Sequence, residues 1–305
     1  MNEIISALWP VFVLLLLGYW AQRHEFPGPG FWSYAERGTY FVLFPVMLVD
    51  KLSEAPIGQI SLMQTGLAVL ALILLGSVTA FVCRIWVTNA PAFTSVYQGS
   101  VRFNTYVGLA AAAVLFGDAG LAQAAVIAAF MIPLLNVFCV LVFVFCVGGH
   151  ANVWSVIKAL LTNPLIVGSL LGLSLNLTGL GLHASIQSIT GLLGQLALPM
   201  GLLAVGAGLS FRFLMRSWQP VLLASVIKLV LFPLFAVLLS HLLQLPTLSA
   251  QVLLLFAALP TASSAYILSR QMGGDAALMA GTITGQTLLA MVTMPLMLTL
   301  LWPLL

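Results

Sequence analysis

Two short polar clusters interrupt an otherwise apolar chain, and both carry groups suited to holding an anion. Phe103-Asn104-Thr105-Tyr106-Val107-Gly108 leads into Phe116-Gly117-Asp118-Ala119, and Pro260-Thr261-Ala262-Ser263-Ser264 leads into Gly273-Gly274-Asp275-Ala276. An Asp follows fourteen residues after Asn104 and again after Thr261, and the two copies lie 157 residues apart, about half the chain. Pro260 removes a backbone donor and disrupts a helix at a cost of about 3 kcal/mol. A break of this kind leaves a half-helix N-terminus with free N–H groups and about half a positive charge. Two such ends facing one cavity form an anion site, with Asn104, Thr105, Thr261, Ser263 and Ser264 as the polar lining. The competing reading is a packed proline kink whose hydroxyls bond carbonyls one turn back.

Two cations accompany the clusters. Arg102 stands just before Asn104, and Lys228 lies within Ser225-Val226-Ile227-Lys228-Leu229-Val230, about ten residues from the nearest end of its apolar segment. Ionisable groups at such depth are costly in a membrane and mark functional sites by default. They can answer half-helix C-termini, a substrate carboxylate, or both; a snorkelling Lys228 is the bland alternative. No carboxylate is expected at the same depth, because Asp50, Asp118 and Asp275 fall near segment ends. A catalytic reading finds no His-Glu-x-x-His helix, paired Asp set or nucleophile–base pair. Cys83, Cys139 and Cys146 read as apolar filler, and His24, His150, His183 and His241 fall at or near segment ends. The expectation is a protein that is not an enzyme and holds neither metal nor cofactor.

The elements that must position these groups are membrane helices. The chain is 62% hydrophobic and 6% charged, with a mean hydropathy of +1.15. A soluble domain carries about 25% charged residues. Apolar runs long enough to cross a hydrocarbon core of about 30 Å cover residues 4–22, 33–52, 61–87, 93–116, 121–147, 153–177, 184–211, 218–243, 248–269 and 276–301. The first is read as a span rather than a cleaved signal, since Met1-Asn2-Glu3 has no basic residue and Arg23 follows the run. Arg23, Arg37, Arg84, Lys158, Arg212, Arg216 and Arg270 fall on one side of the ten spans, and only Lys51 on the other. Positive loops stay in the cytoplasm, so both termini are expected on the periplasmic or extracellular face of the cell (inner) membrane. The scattered charges suggest no nucleic-acid partner; the lipid bilayer is the expected one.

Prolines repeat in the same order. Leu43-Phe44-Pro45-Val46-Met47 matches Ala197-Leu198-Pro199-Met200-Gly201 at an offset of 154, and Ile132-Pro133-Leu134 matches Met294-Pro295-Leu296 at 162. The expected fold class is an all-α integral membrane domain over 1–305. It comprises ten transmembrane helices as a 5+5 inverted repeat (about 1–150 and 151–305) with broken spans four and nine. Secondary carriers use this relation, rocking one bundle against another around a midplane site.

Asn104-Thr105 with Gly108 and Phe116-Gly117, paired with Ala258-Leu259-Pro260 and Ala265-Tyr266-Ile267-Leu268-Ser269-Arg270, resembles the auxin efflux carrier family. The resemblance covers the whole chain. It implies a fold similar to sodium/proton antiporters and bile-acid symporters, with spans four and nine crossing at unwound centres. It also implies a scaffold of spans one, two, six and seven, a mobile unit from the rest, and a homodimer through the scaffold. The function it implies is transport of a small organic anion such as malate, malonate or an auxin-like acid. A sodium-coupled bile-acid-type symporter and a membrane sensor are the alternatives. Plant members place Pro before the Asn-Thr of span four; this chain has Phe103 there, so that break must be opened by other means.

Overall fold

The computed structural model describes residues 2–55, 61–148, 162–214 and 218–305, and every regular element among them is helical. Helices close their own backbone hydrogen bonds, which hydrocarbon demands. The elements in chain order are α1 (Asn2–Arg23), α2 (Phe31–Gly38), α3 (Phe44–Glu54), α4 (Leu62–Val82), α5 (Ala90–Val101), α6 (Thr105–Val147) and α7 (Pro164–Leu177). They continue with α8 (Ala184–Ala207), α9 (Phe211–Leu214), α10 (Trp218–Val226), α11 (Phe232–Leu242), α12 (Thr247–Ala257), α13 (Ser264–Gln271) and α14 (Ala276–Leu301).

Among the described residues, six stretches are long and apolar enough to cross a membrane: Ile4–Arg23, Leu62–Trp86, Ala90–Val147, Ala184–Ala207, Trp218–Leu242 and Ala276–Leu304. Ala90–Val147 holds the expected fourth and fifth spans end to end. Its backbone is interrupted at residues 102–104 and again at Gly117, which takes φ 64°. The second and ninth expected spans are not continuous α-helices of that length. The second is divided by a widened turn at Thr39–Leu43, and the ninth is split into α12 and α13. Of the sixth, α7 is the described part; its first part lies outside the described residues together with Lys158, as does Arg216.

Among the described residues widened turns occur twice, at Thr39–Leu43 and Ile227–Leu231, each just before a proline, Pro45 or Pro233. A proline cannot donate to the preceding turn, and such turns are frequent at functional sites.

The helices sort into two packed groups. In one, α1 lies on α8 while α3 lies on α7 and α8. A Cβ at Gly18 would land on the Leu203 carbonyl, and one at Gly206 on the Leu15 carbonyl, so α1 and α8 touch backbone to backbone. Small residues at a helix seam are how membrane helices gain dispersion contacts without a hydrophobic drive. In the other group, α4, α5, α6, α10, α11, α12 and α14 pack on one another. Its interior holds Phe93, Tyr97, Phe232 and Phe256 with no exposed surface, and Tyr97 shares a 2.7 Å hydrogen bond with Ser77.

Candidate functional site

The first break opens without a proline. α5 ends at Val101, and Arg102 turns the chain into extended backbone (φ −74°, ψ 161°). Asn104 then caps α6: its Oδ1 accepts from the N–H groups of Tyr106 (3.1 Å) and Val107 (3.2 Å). Asn is among the strongest N-caps because its side chain replaces the missing backbone partner. Phe103 packs its ring 5.3 Å from that of Phe256, against the end of α12.

The second break runs from Ala258 to Ser263, and the two breaks meet. The Asn104 N–H donates to the Pro260 carbonyl at 2.8 Å. Thr261 N–H donates to Gln286 Oε1 (2.9 Å), and Gln286 Nε2 donates to the Gly99 carbonyl (2.8 Å). The Thr261 hydroxyl reaches the Gln98 carbonyl at 3.3 Å. Backbone groups freed by one break are thus satisfied by the other break and by Gln286 on α14, as hydrocarbon requires.

A cavity of about 470 Å³ opens beside this crossing, bounded by both helix groups. Arg102, Phe103, Asn104, Thr105, Ser263 and Ser264 form its crossing side, with Glu36, Tyr40, Asn136 and Asn163 opposite and around. Arg102 Nη2 donates to Asn136 Oδ1 (3.1 Å) and Ser264 Oγ (3.4 Å). Two donors on this lining, Asn104 Nδ2 and Arg102 Nη1, are buried with no hydrogen-bond partner among the described residues. A buried donor left unmade costs about 1–3 kcal/mol, so the pair is preorganised for an acceptor. Both stand at the start of the α6 half-helix, where the partial positive charge favours an anion.

Of the residues expected to bind, the structure gathers Asn104, Thr105, Arg102, Ser263 and Ser264 on the cavity. Pro260 and Thr261 are buried in the crossing itself, where they hold the two breaks together. Lys228 stands apart. It has no exposed surface, its Nζ donates to the Phe256 carbonyl at 3.2 Å, and it lies 4.5 Å from the centroid of the Phe232 ring. It serves the carboxyl end of α12.

Glu36, a carboxylate not among the residues expected at the site, is half-buried and lines the same cavity. In the sequence it adjoins Arg37 at the edge of an apolar run, which reads as a connector. Asn136, Gln98 and Gln286 also went unread, each a lone polar residue whose side-chain partners are far away in the chain; so did Asn163, whose Oδ1 caps α7 by accepting from the N–H groups of Leu165 and Ile166. A cue existed for Asn136, which follows Pro133 by less than one turn.

A second cavity, about 380 Å³, lies toward the other end of the same helices. Residues 47–51 line it where 36–41 line the first, and residues 110–118 where 102–106 line the first. Here Lys51 Nζ pairs with Asp118 Oδ1 at 3.2 Å, both side chains well exposed.

Residues 150–298 match a family model described as membrane transport protein. An uncharacterized transporter of Methanothermobacter thermautotrophicus is similar too, at 26% identity over 291 residues covering 94% of each chain. The chain is thus similar to the membrane transport proteins over residues 150–298. The resemblance to the auxin efflux carrier family is borne out, and the chain is a multi-pass membrane protein, helical in every regular element among the described residues. Transport rather than catalysis is the activity these likenesses indicate.

Proposed function

We propose that this transporter carries a small organic anion, a carboxylate such as malate, malonate or an auxin-like acid, by alternating access around the crossing of the two breaks. The observation that carries this reading is the pair of buried, unpartnered donors on the cavity, Asn104 Nδ2 and Arg102 Nη1. A carboxylate accepts from an amide and a guanidinium together, and such charge-assisted bonds are the strong ones.

In this reading the chain is one domain of ten spans in two inverted halves, about 1–150 and 151–305. Its support is the matching succession of half-helix, break, half-helix and glycine turn in α5–α6 and α12–α13. Gly117 and Gly273 both take positive φ, at 64° and 76°. The α1, α3, α7 and α8 group acts as scaffold and homodimer contact, and the group bearing the crossing moves. The two cavities are the inner and outer halves of the path, in a cell (inner) membrane with both termini outside.

Purified protein melted in the presence of malate, malonate or indole-3-acetate tests the ligand class. At least one should raise the midpoint, and Asn104→Asp should remove that shift. No shift with any of the three would end the reading. Cysteines near both termini should react with an impermeant thiol reagent from outside the cell; labelling of one terminus alone would end the 5+5 arrangement.

A further inference from the structure

We infer that Glu36 takes up a proton together with each bound anion and releases it with the anion on the opposite side. This rests on the anion-carrier reading and adds the coupling ion to it.

The geometry supplies two reasons. First, Glu36 shares one cavity with the donors that await a carboxylate. Two carboxylates in one partly enclosed site disfavour each other's charge, and one of them then holds a proton. Second, Glu36 and Ser263 line the same cavity from the two different helix groups. Glu36 belongs to α2, which packs on α8, whereas Ser263 belongs to the break that hydrogen-bonds Asn104. Motion of one group against the other changes the side of the cavity that Glu36 faces, so the protonation state of Glu36 and the position of the crossing are linked.

The charged and titratable groups around Glu36 are few. On its own stretch they are Arg37 and Tyr40; from the crossing side they are Arg102 and Tyr106. α8, the helix packed against α2, has no titratable side chain over Ala184–Ala207. Arg102 is committed to Asn136 and Ser264 and leaves one donor free. One guanidinium therefore faces two carboxylates once an anion arrives, and a proton from water on the open side of the cavity neutralises Glu36. No other bond is made or broken.

The test uses detergent-purified full-length protein in weak buffer with a pH-sensitive dye, malate being the first probe and malonate and indole-3-acetate the next. Binding should withdraw about one proton per anion, and affinity should fall about tenfold per pH unit on the alkaline side, as linkage requires for one proton. Glu36→Gln should withdraw none, and its affinity should stay flat with pH and exceed the wild type's at alkaline pH. The variant also subtracts any proton exchanged by the probe itself. Wild-type binding with no proton uptake and a flat pH profile would overturn the role of Glu36 and leave the anion carrier standing. Equal uptake by wild type and Glu36→Gln would overturn it as well. Absence of binding by all three probes would overturn the carrier reading and this inference together.

Discussion

The backbone N–H of Asn104 donates across 2.8 Å to the carbonyl of Pro260, joining two breaks that lie in opposite halves of the chain. The bond uses main-chain atoms only, so no side-chain substitution at either position deletes it. It leaves the Asn104 side chain free to do two other things: its oxygen caps α6, and its nitrogen faces no partner.

That division of labour separates two substitutions. Asn104→Asp keeps the capping oxygen but exchanges the free donor for negative charge; malate binding should be abolished while the melting midpoint stays near that of the wild type. Asn104→Ala should bind less well but measurably, and should also lose about 1 kcal/mol of stability with the cap. Equal malate affinity in Asn104→Asp would show that the crossing does not touch the anion.

Lys228 should behave as a structural cation. Lys228→Met keeps the apolar stem and removes the donor to the Phe256 carbonyl, so stability should fall by about 1–3 kcal/mol. Malate affinity should change by less than about tenfold, the equivalent of roughly 1.4 kcal/mol. A larger loss of affinity in folded protein would return Lys228 to the substrate path.

The α1–α8 seam predicts a contrast between glycines. Gly18→Val should destabilise by about 1–3 kcal/mol through overpacking against Leu203, read as a lower melting midpoint in detergent. Gly38 has helical φ −59° and open space around it. Gly38→Ala should therefore be neutral or stabilising by up to about 1 kcal/mol. A tolerated Gly18→Val would mean the seam can open.

Transport of malate into proteoliposomes should persist when sodium is replaced by potassium or choline. Among the described residues no three His, Cys, Asp or Glu side chains come together to hold a metal ion. A strict sodium requirement would favour a bile-acid-type symporter.

Both breaks were legible in the sequence because each needs a visible exception to apolar composition: an amide cap in one, Pro260 and hydroxyls in the other. Arg102, Thr105, Ser263 and Ser264 came with them by adjacency. The residues that close the crossing were not legible. Gln98 bonds Ser269 across 171 positions and Gln286 bonds Gly99 across 187. A single glutamine in an apolar helix carries no signal of which neighbour it will meet. Thr261 showed the reverse limit: its hydroxyl was visible, but only packing reveals that it turns to the Gln98 carbonyl and lies fully buried. Glu36 was hidden by its neighbour, since Glu-Arg at the edge of an apolar run looks the same whether it meets water or a cavity.

The Lys228–Phe256 contact also sets an order of assembly during synthesis. The carbonyl that receives this ammonium lies 28 residues further along the chain. A lysine at the centre of a lone helix costs about 2.5–3.5 kcal/mol to insert. The rest of Trp218–Leu242, with a mean hydropathy of 2.6, is apolar enough to enter the bilayer regardless. Its charge nevertheless finds its partner only after the ribosome has delivered α12, a helix of 11 residues that is too short to cross alone. The first segment can enter alone, but its lysine is satisfied only once α12 is in place, so the final packing of the two segments is tied together.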